Sequence, residues 1–348
     1  MNCNLTVKAK INASSYVGRN SSGIEANEIT LAGGAAINFA SKGTALTATI
    51  GNVEVKDGAA LDLNLVIPRR EGTAAGITAV QAGGDVRFSS DHVNISVSAT
   101  PEIYQIYDNQ TEGVDKCILV SAGRAVVLEN GANVNMKVFA SSSQNLIPIF
   151  GMIYGLSGGS GPSNGVYIDN STLNMDLQAD LFYGIYAIAA DSTVVIEDSV
   201  VNVNMKCKNS MNGIYCENGN VGFIRSEVKI IGRTSYVNEM PMFGVFSGFN
   251  CAIEVINSVL DIDLNRGIAV AGYYGWRNQP AEYDEEYTPK PKLLDGFDLD
   301  DTKQVFGLFS VFAVDDNEDT GFHVLETIFD LSSVNAPATN VYVDKREL

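Results

Sequence analysis

The sequence predicts an all-β chain wound as a right-handed parallel β-helix, a solenoid of about eight or nine rungs. Three observations predict it. A motif of an aromatic or polar residue, glycine, an aliphatic and usually an aromatic recurs, short strands of alternating apolar and polar residues recur behind it, and the two keep a near-constant separation.

The motif appears as Phe150-Gly151-Met152-Ile153, Tyr183-Gly184-Ile185-Tyr186, Asn212-Gly213-Ile214-Tyr215, Phe243-Gly244-Val245-Phe246 and Phe306-Gly307-Leu308-Phe309. Its glycines lie 33, 29, 31 and 63 residues apart, so the last gap is about twice the others. The alternating strands begin at Leu61, Val93, Val134, Leu173, Val201, Val228 and Leu260. Strict alternation is the period of a strand with one face buried. From Gly43, Gly76, Gly184, Gly213 and Gly244 to the next such strand the offsets are 18, 17, 17, 15 and 16. A unit of about 30 residues cannot bury its apolar face alone, but stacked units share one core. Parallel crossovers are right-handed by default. Residues 23–335 are expected to form the helix and residues 1–22 an N-terminal strand or cap. An inserted loop is expected at 272–305 and a tail at 336–348.

Composition agrees with many short strands and tight turns. Charged residues are only 18% of the 348, hydrophobic residues 45%, and there are 33 glycines. The net charge of −18 repels phosphate backbones and anionic lipid, which argues against nucleic acid and membrane-surface partners. It also disfavours a polyanionic substrate unless calcium bridges the two. No run reaches the length of a membrane span. The five cysteines, Cys3, Cys117, Cys207, Cys216 and Cys251, are odd in number and lack CxxC spacing, so neither a disulfide framework nor a zinc site is expected. The first twenty residues lack the charged start and apolar stretch of a signal peptide, while alternation begins at Leu5. A secreted or cell-surface protein whose leader has been removed is the expectation.

The repeat pattern resembles the pectin-lyase-like superfamily of right-handed β-helices over residues 20–335. More narrowly, it is similar to the Gly-Ile-rich β-helical repeats of bacterial cell-surface proteins, which are described as carbohydrate-binding or adhesin-like. The resemblance implies a non-catalytic module that binds a polysaccharide or cell-surface glycan, or mediates adhesion. A polysaccharide lyase or glycoside hydrolase is the alternative, and a structural spacer of a larger surface protein is a third. The polygalacturonase-like enzymes of the superfamily carry Asn-Thr-Asp, Gly-His-Gly and Arg-Ile-Lys strings, and all three are missing. The only histidines, His92 and His323, are not flanked by glycines.

Candidate residues follow from the residues themselves. Asp261 and Asp263 share one strand face about 7 Å apart, within the range of an inverting glycosidase. Solvated carboxylates on an outward face are the plainer reading. Tyr186, Tyr215 and Phe246, with Phe309 as an extension, are expected to form an outward aromatic column able to stack on sugar rings. Loops folding over that column would instead make it a secondary core. The interruption between Gly272 and Asp301 gathers Tyr273, Tyr274, Trp276 and Arg277, a further glycan-binding candidate. Asp315, Asn317 and Asp319 place oxygen donors at alternate positions, as in a calcium loop, although Thr320 stands where the glycine of an EF-hand would be. No other cofactor is expected.

Overall fold

In the computed structural model the described residues are 3–15, 23–41, 44–67, 77–99, 116–140, 150–159, 164–179, 182–207, 210–234, 243–247, 253–256, 258–265, 267–272, 305–308, 322–325 and 328–330. They form thirty strands, numbered β1 to β30 in chain order, in three sheets of ten. All the pairings are parallel, each strand bonding to its counterparts one turn before and one turn after. This is a parallel β-helix. One turn runs from a strand of the third sheet through the first to the second, as in β18 (Phe182–Ala190), β19 (Val194–Glu197) and β20 (Val200–Cys207).

The alternating strands form the second sheet, and their leading residues lie in one file. Ile37, Leu61, Val93, Val134, Leu173, Val201, Val228 and Leu260 stand Cα opposite Cα and each is fully buried. Two positions along, Leu63, Ile95, Met136, Met175, Val203, Ile230 and Ile262 form a second inward file. One apolar core therefore runs from Val7 to Leu264. A slip of one residue would turn a whole strand's apolar set to solvent, which is why the alternation specifies the register.

The corner between the first and second sheets repeats as regularly. Asp57, Asn130, Asn170, Asp198 and Arg225 all have positive φ, between 43° and 58°. After glycine, Asn and Asp tolerate this conformation best. Behind it, Ser171, Ser199, Ser226 and Ser258 are buried and linked. The amides of Ser171, Ser199 and Ser226 each donate to the hydroxyl of the next serine, at 3.1, 3.2 and 3.0 Å. The Ser199 and Ser226 hydroxyls in turn bond to carbonyls of the first sheet. Corner backbone groups that no strand ladder could satisfy find partners this way.

The third sheet departs from simple alternation. In β12 (Lys116–Ala122) Leu119 and Val120 are both buried, flanked by the less buried Ile118 and Ser121. In β12 and the adjoining β9 (Ile77–Ala82) two outward positions lie three apart, Ile118 and Ser121 in one and Thr78 and Gln81 in the other, on either side of an inward bend. At the bend Leu119 lies between the small residues Ala79 and Gly155 of the adjoining rungs. A Cβ on Gly155 would lie 2.3 Å from the Ala187 carbonyl oxygen of the next rung.

The doubled gap between Gly244 and Gly307 holds residues 273–304, which lie outside the described residues, and one feature the sequence reading did not expect. It contains a further strand of the third sheet, β27 (Gly267–Gly272), between β24 (Phe243–Ser247) and β28 (Val305–Leu308). Its Arg266-Gly267-Ile268-Ala269 has no aromatic on either side of the glycine-aliphatic pair, whereas every other copy has at least one.

Candidate functional site

The outer face of the second sheet carries a trough parallel to the solenoid axis. Its two walls are files of outward side chains from β11 (Val93–Ala99), β14 (Asn133–Phe139), β17 (Thr172–Gln178), β20 and β23 (Glu227–Thr234). Asn94, Asn135, Asn174, Asn202 and Lys229 form one wall, and Ser96, Lys137, Asp176, Asn204 and Ile231 the other. The hollow measures about 430 Å³.

The first wall is a hydrogen-bonded ladder with a single polarity. Asn94 Nδ2 donates to Asp62 Oδ1 at 2.7 Å, Asn135 to Asn94 at 3.2 Å, Asn174 to Asn135 at 3.0 Å and Asn202 to Asn174 at 3.0 Å. A primary amide has two protons and two lone pairs, so the ladder uses half the capacity of Asn135 and Asn174. The remainder is held in fixed orientation once per rung. The sequence reading missed this ladder, although Asn fills the second position of four successive alternating strands.

Charges on this face are matched across rungs. Asp261 is ion-paired to Lys229 at 2.5 Å, and Asp263 is ion-paired to Arg233. The two carboxylates singled out as a catalytic pair, both on β26 (Val259–Leu264), are thus each held by a cation of the preceding strand. Asp176 Oδ1 accepts from Asn204 at 3.1 Å and from Gln178 at 3.3 Å.

The predicted aromatic column takes a different form. Tyr186 stands opposite Tyr154 and Asn212, whereas Tyr215 stands opposite Ala189 and Phe246. The three rings therefore occupy two files, because the motif falls in the first half of β18 but the second half of β21 (Ser210–Cys216). Contact is nonetheless continuous. Tyr154 and Tyr186 stack with centroids 5.2 Å apart, Tyr186 meets Tyr215 edge-on at 5.1 Å, and Tyr215 stacks on Phe246 at 4.8 Å. Phe246 is 1% exposed although it stands in register with the outward Tyr215, so it is covered and offers no open platform. Tyr186 and Tyr215 are half-buried. Burial, helped by the Glu217 carboxylate, holds the Tyr154 phenol above its ordinary pKa.

Phe309, Tyr273, Tyr274, Trp276, Arg277, Asp315, Asn317 and Asp319 lie outside the described residues. Among the described residues no three His, Cys, Asp or Glu side chains converge as a metal-binding group, and no helix is long and apolar enough to cross a membrane.

Fold and face together define the class: a parallel β-solenoid with an amide-walled trough on one sheet. Comparison with family models, with curated proteins and with solved structures finds no match to this chain.

Proposed function

We propose that the chain is a non-catalytic module of the pectin-lyase-like kind, secreted or displayed at a cell surface, that binds a glycan through the outer face of its second sheet and so mediates adhesion. One observation carries this reading. The Asn94–Asn135–Asn174–Asn202 ladder offers a fixed amide donor and acceptor on each rung along an open trough. A sugar hydroxyl is likewise a donor and an acceptor, and preoriented partners reduce the ordering cost of binding.

The test is retention of the whole chain on a panel of immobilised polysaccharides, compared with an Asn135→Ala/Asn174→Ala variant. Retention of the parent and its loss in the variant, with both folded by circular dichroism, is the expected result. No retention of the parent, or equal retention of both, would remove the reading.

A second reading, polysaccharide cleavage in the same trough, draws on the register of Lys137 with Asp176, a cation and a carboxylate on adjacent rungs. Release of reducing ends or of unsaturated products by the purified chain would favour it over binding alone.

A further inference from the structure

A wall of amides grips hydroxyls but has nothing to place against the apolar C–H face of a sugar ring, which calls for an aromatic face. The tyrosines of the third sheet are poorly placed to supply one. Tyr154 and Tyr186 are 6° from parallel and Tyr215 and Phe246 14°, so in each pair one ring covers a face of the other. Phe139 is different. It is 53% exposed, and among the described residues it is the one exposed Phe, Tyr or Trp.

Its position adds to this. Phe139 ends β14 and points to the same outer face as Asn135 and Lys137. Its neighbours in register are Ser98 and Gln178. Ser98 is too short to cover a phenyl ring, and the Gln178 amide donates along its own strand to Asp176. Same-face positions on a strand are about 7 Å apart, so two steps separate Phe139 from Asn135, within the reach of a short oligosaccharide. The charges of the intervening face are of both signs: Lys137 lies in register with Asp176, and Lys229 is paired with Asp261.

We propose that Phe139 is the stacking platform of this face, seating one ring of a neutral oligosaccharide whose hydroxyls reach the Asn135 and Asn174 amides. This rests on the reading of the trough as a glycan site. Phe139 supplies the ring contact, the ladder supplies polar specificity, and the mixed charge gives a uronate chain no net attraction.

Affinity gels containing neutral polymers (mixed-linkage β-glucan, glucomannan, dextrin) or polygalacturonate test it on the full chain. The parent should be retarded by at least one neutral polymer. Phe139→Ala should weaken that binding roughly ten-fold, and Phe139→Tyr should keep most of it. Unchanged affinity of Phe139→Ala, with loss in Asn135→Ala/Asn174→Ala, overturns the platform and leaves the trough standing. Retardation by polygalacturonate alone overturns the neutral class. A parent retarded by no polymer overturns both the platform and the reading beneath it.

Discussion

Tyr154 and Tyr186 lie face to face on successive rungs, their centroids 5.2 Å apart and their planes 6° from parallel. Strands of one sheet are spaced about 4.8 Å apart, so rings at equivalent positions have little choice but to stack. The pair is a stabilising contact of the solenoid exterior. In a double-mutant cycle with Tyr154→Leu and Tyr186→Leu, chemical denaturation should return a coupling of about 1 kcal/mol. Additive effects would show that the rings do not meet.

The two faces of the second sheet should differ sharply in tolerance. Val203 is 2% exposed within the core, and Val203→Asp would bury an unpaired charge at a cost of about 4 kcal/mol or more. Asn202→Asp removes the donor to Asn174 but sets a carboxylate in register with Lys229, so its net effect should stay within about 1 kcal/mol. Denaturation midpoints compare them directly. Equal shifts would contradict the face assignment.

The serine corner has its own test. The Ser199 hydroxyl accepts from the buried Ser171 amide and donates to the Ile168 or Glu197 carbonyl. Ser199→Ala leaves that amide without a partner and should cost about 1–3 kcal/mol. A melting temperature equal to the parent's would show that water replaces the hydroxyl freely.

Alkaline pH should weaken the fold through Cys117. Full burial pushes its thiol from 9.0 up to about 12. Between those values the unfolded chain releases this proton and the folded chain retains it, so stability is intact below pH 9 and declines as pH rises towards 12. Cys117→Ala should flatten that decline in a pH series of denaturation curves. In the native protein at pH 8 a thiol reagent should modify the exposed Cys3 and spare Cys117, Cys207 and Cys216. Rapid labelling of all four would mean the core is open.

Much of the second sheet was legible in the sequence. Leu173, Val201, Val228 and Leu260 lead strands of strict alternation, and they do lie in one file. The third sheet was legible only in part. Its strands have two equivalent outward positions, so Gly184-Ile185-Tyr186 and Gly213-Ile214-Tyr215 look alike yet sit three residues out of register. β27 was hidden because its copy of the motif has no aromatic before or after the glycine-aliphatic pair. The amide ladder was present as a recurring Asn, but a polar residue on an outward face carries no signal of its own until its neighbours above and below are known.

The sequence by itself determined that the chain is a stack of rungs and which face of the second-sheet strands turns inward, because burial of apolar side chains at period two admits one answer. Only the tertiary structure decided which residue of one rung rests on which of the next. The turns differ in length from rung to rung, so backbone pairing, and not spacing along the chain, sets Tyr186 beside Asn212 and joins four asparagines into one ladder.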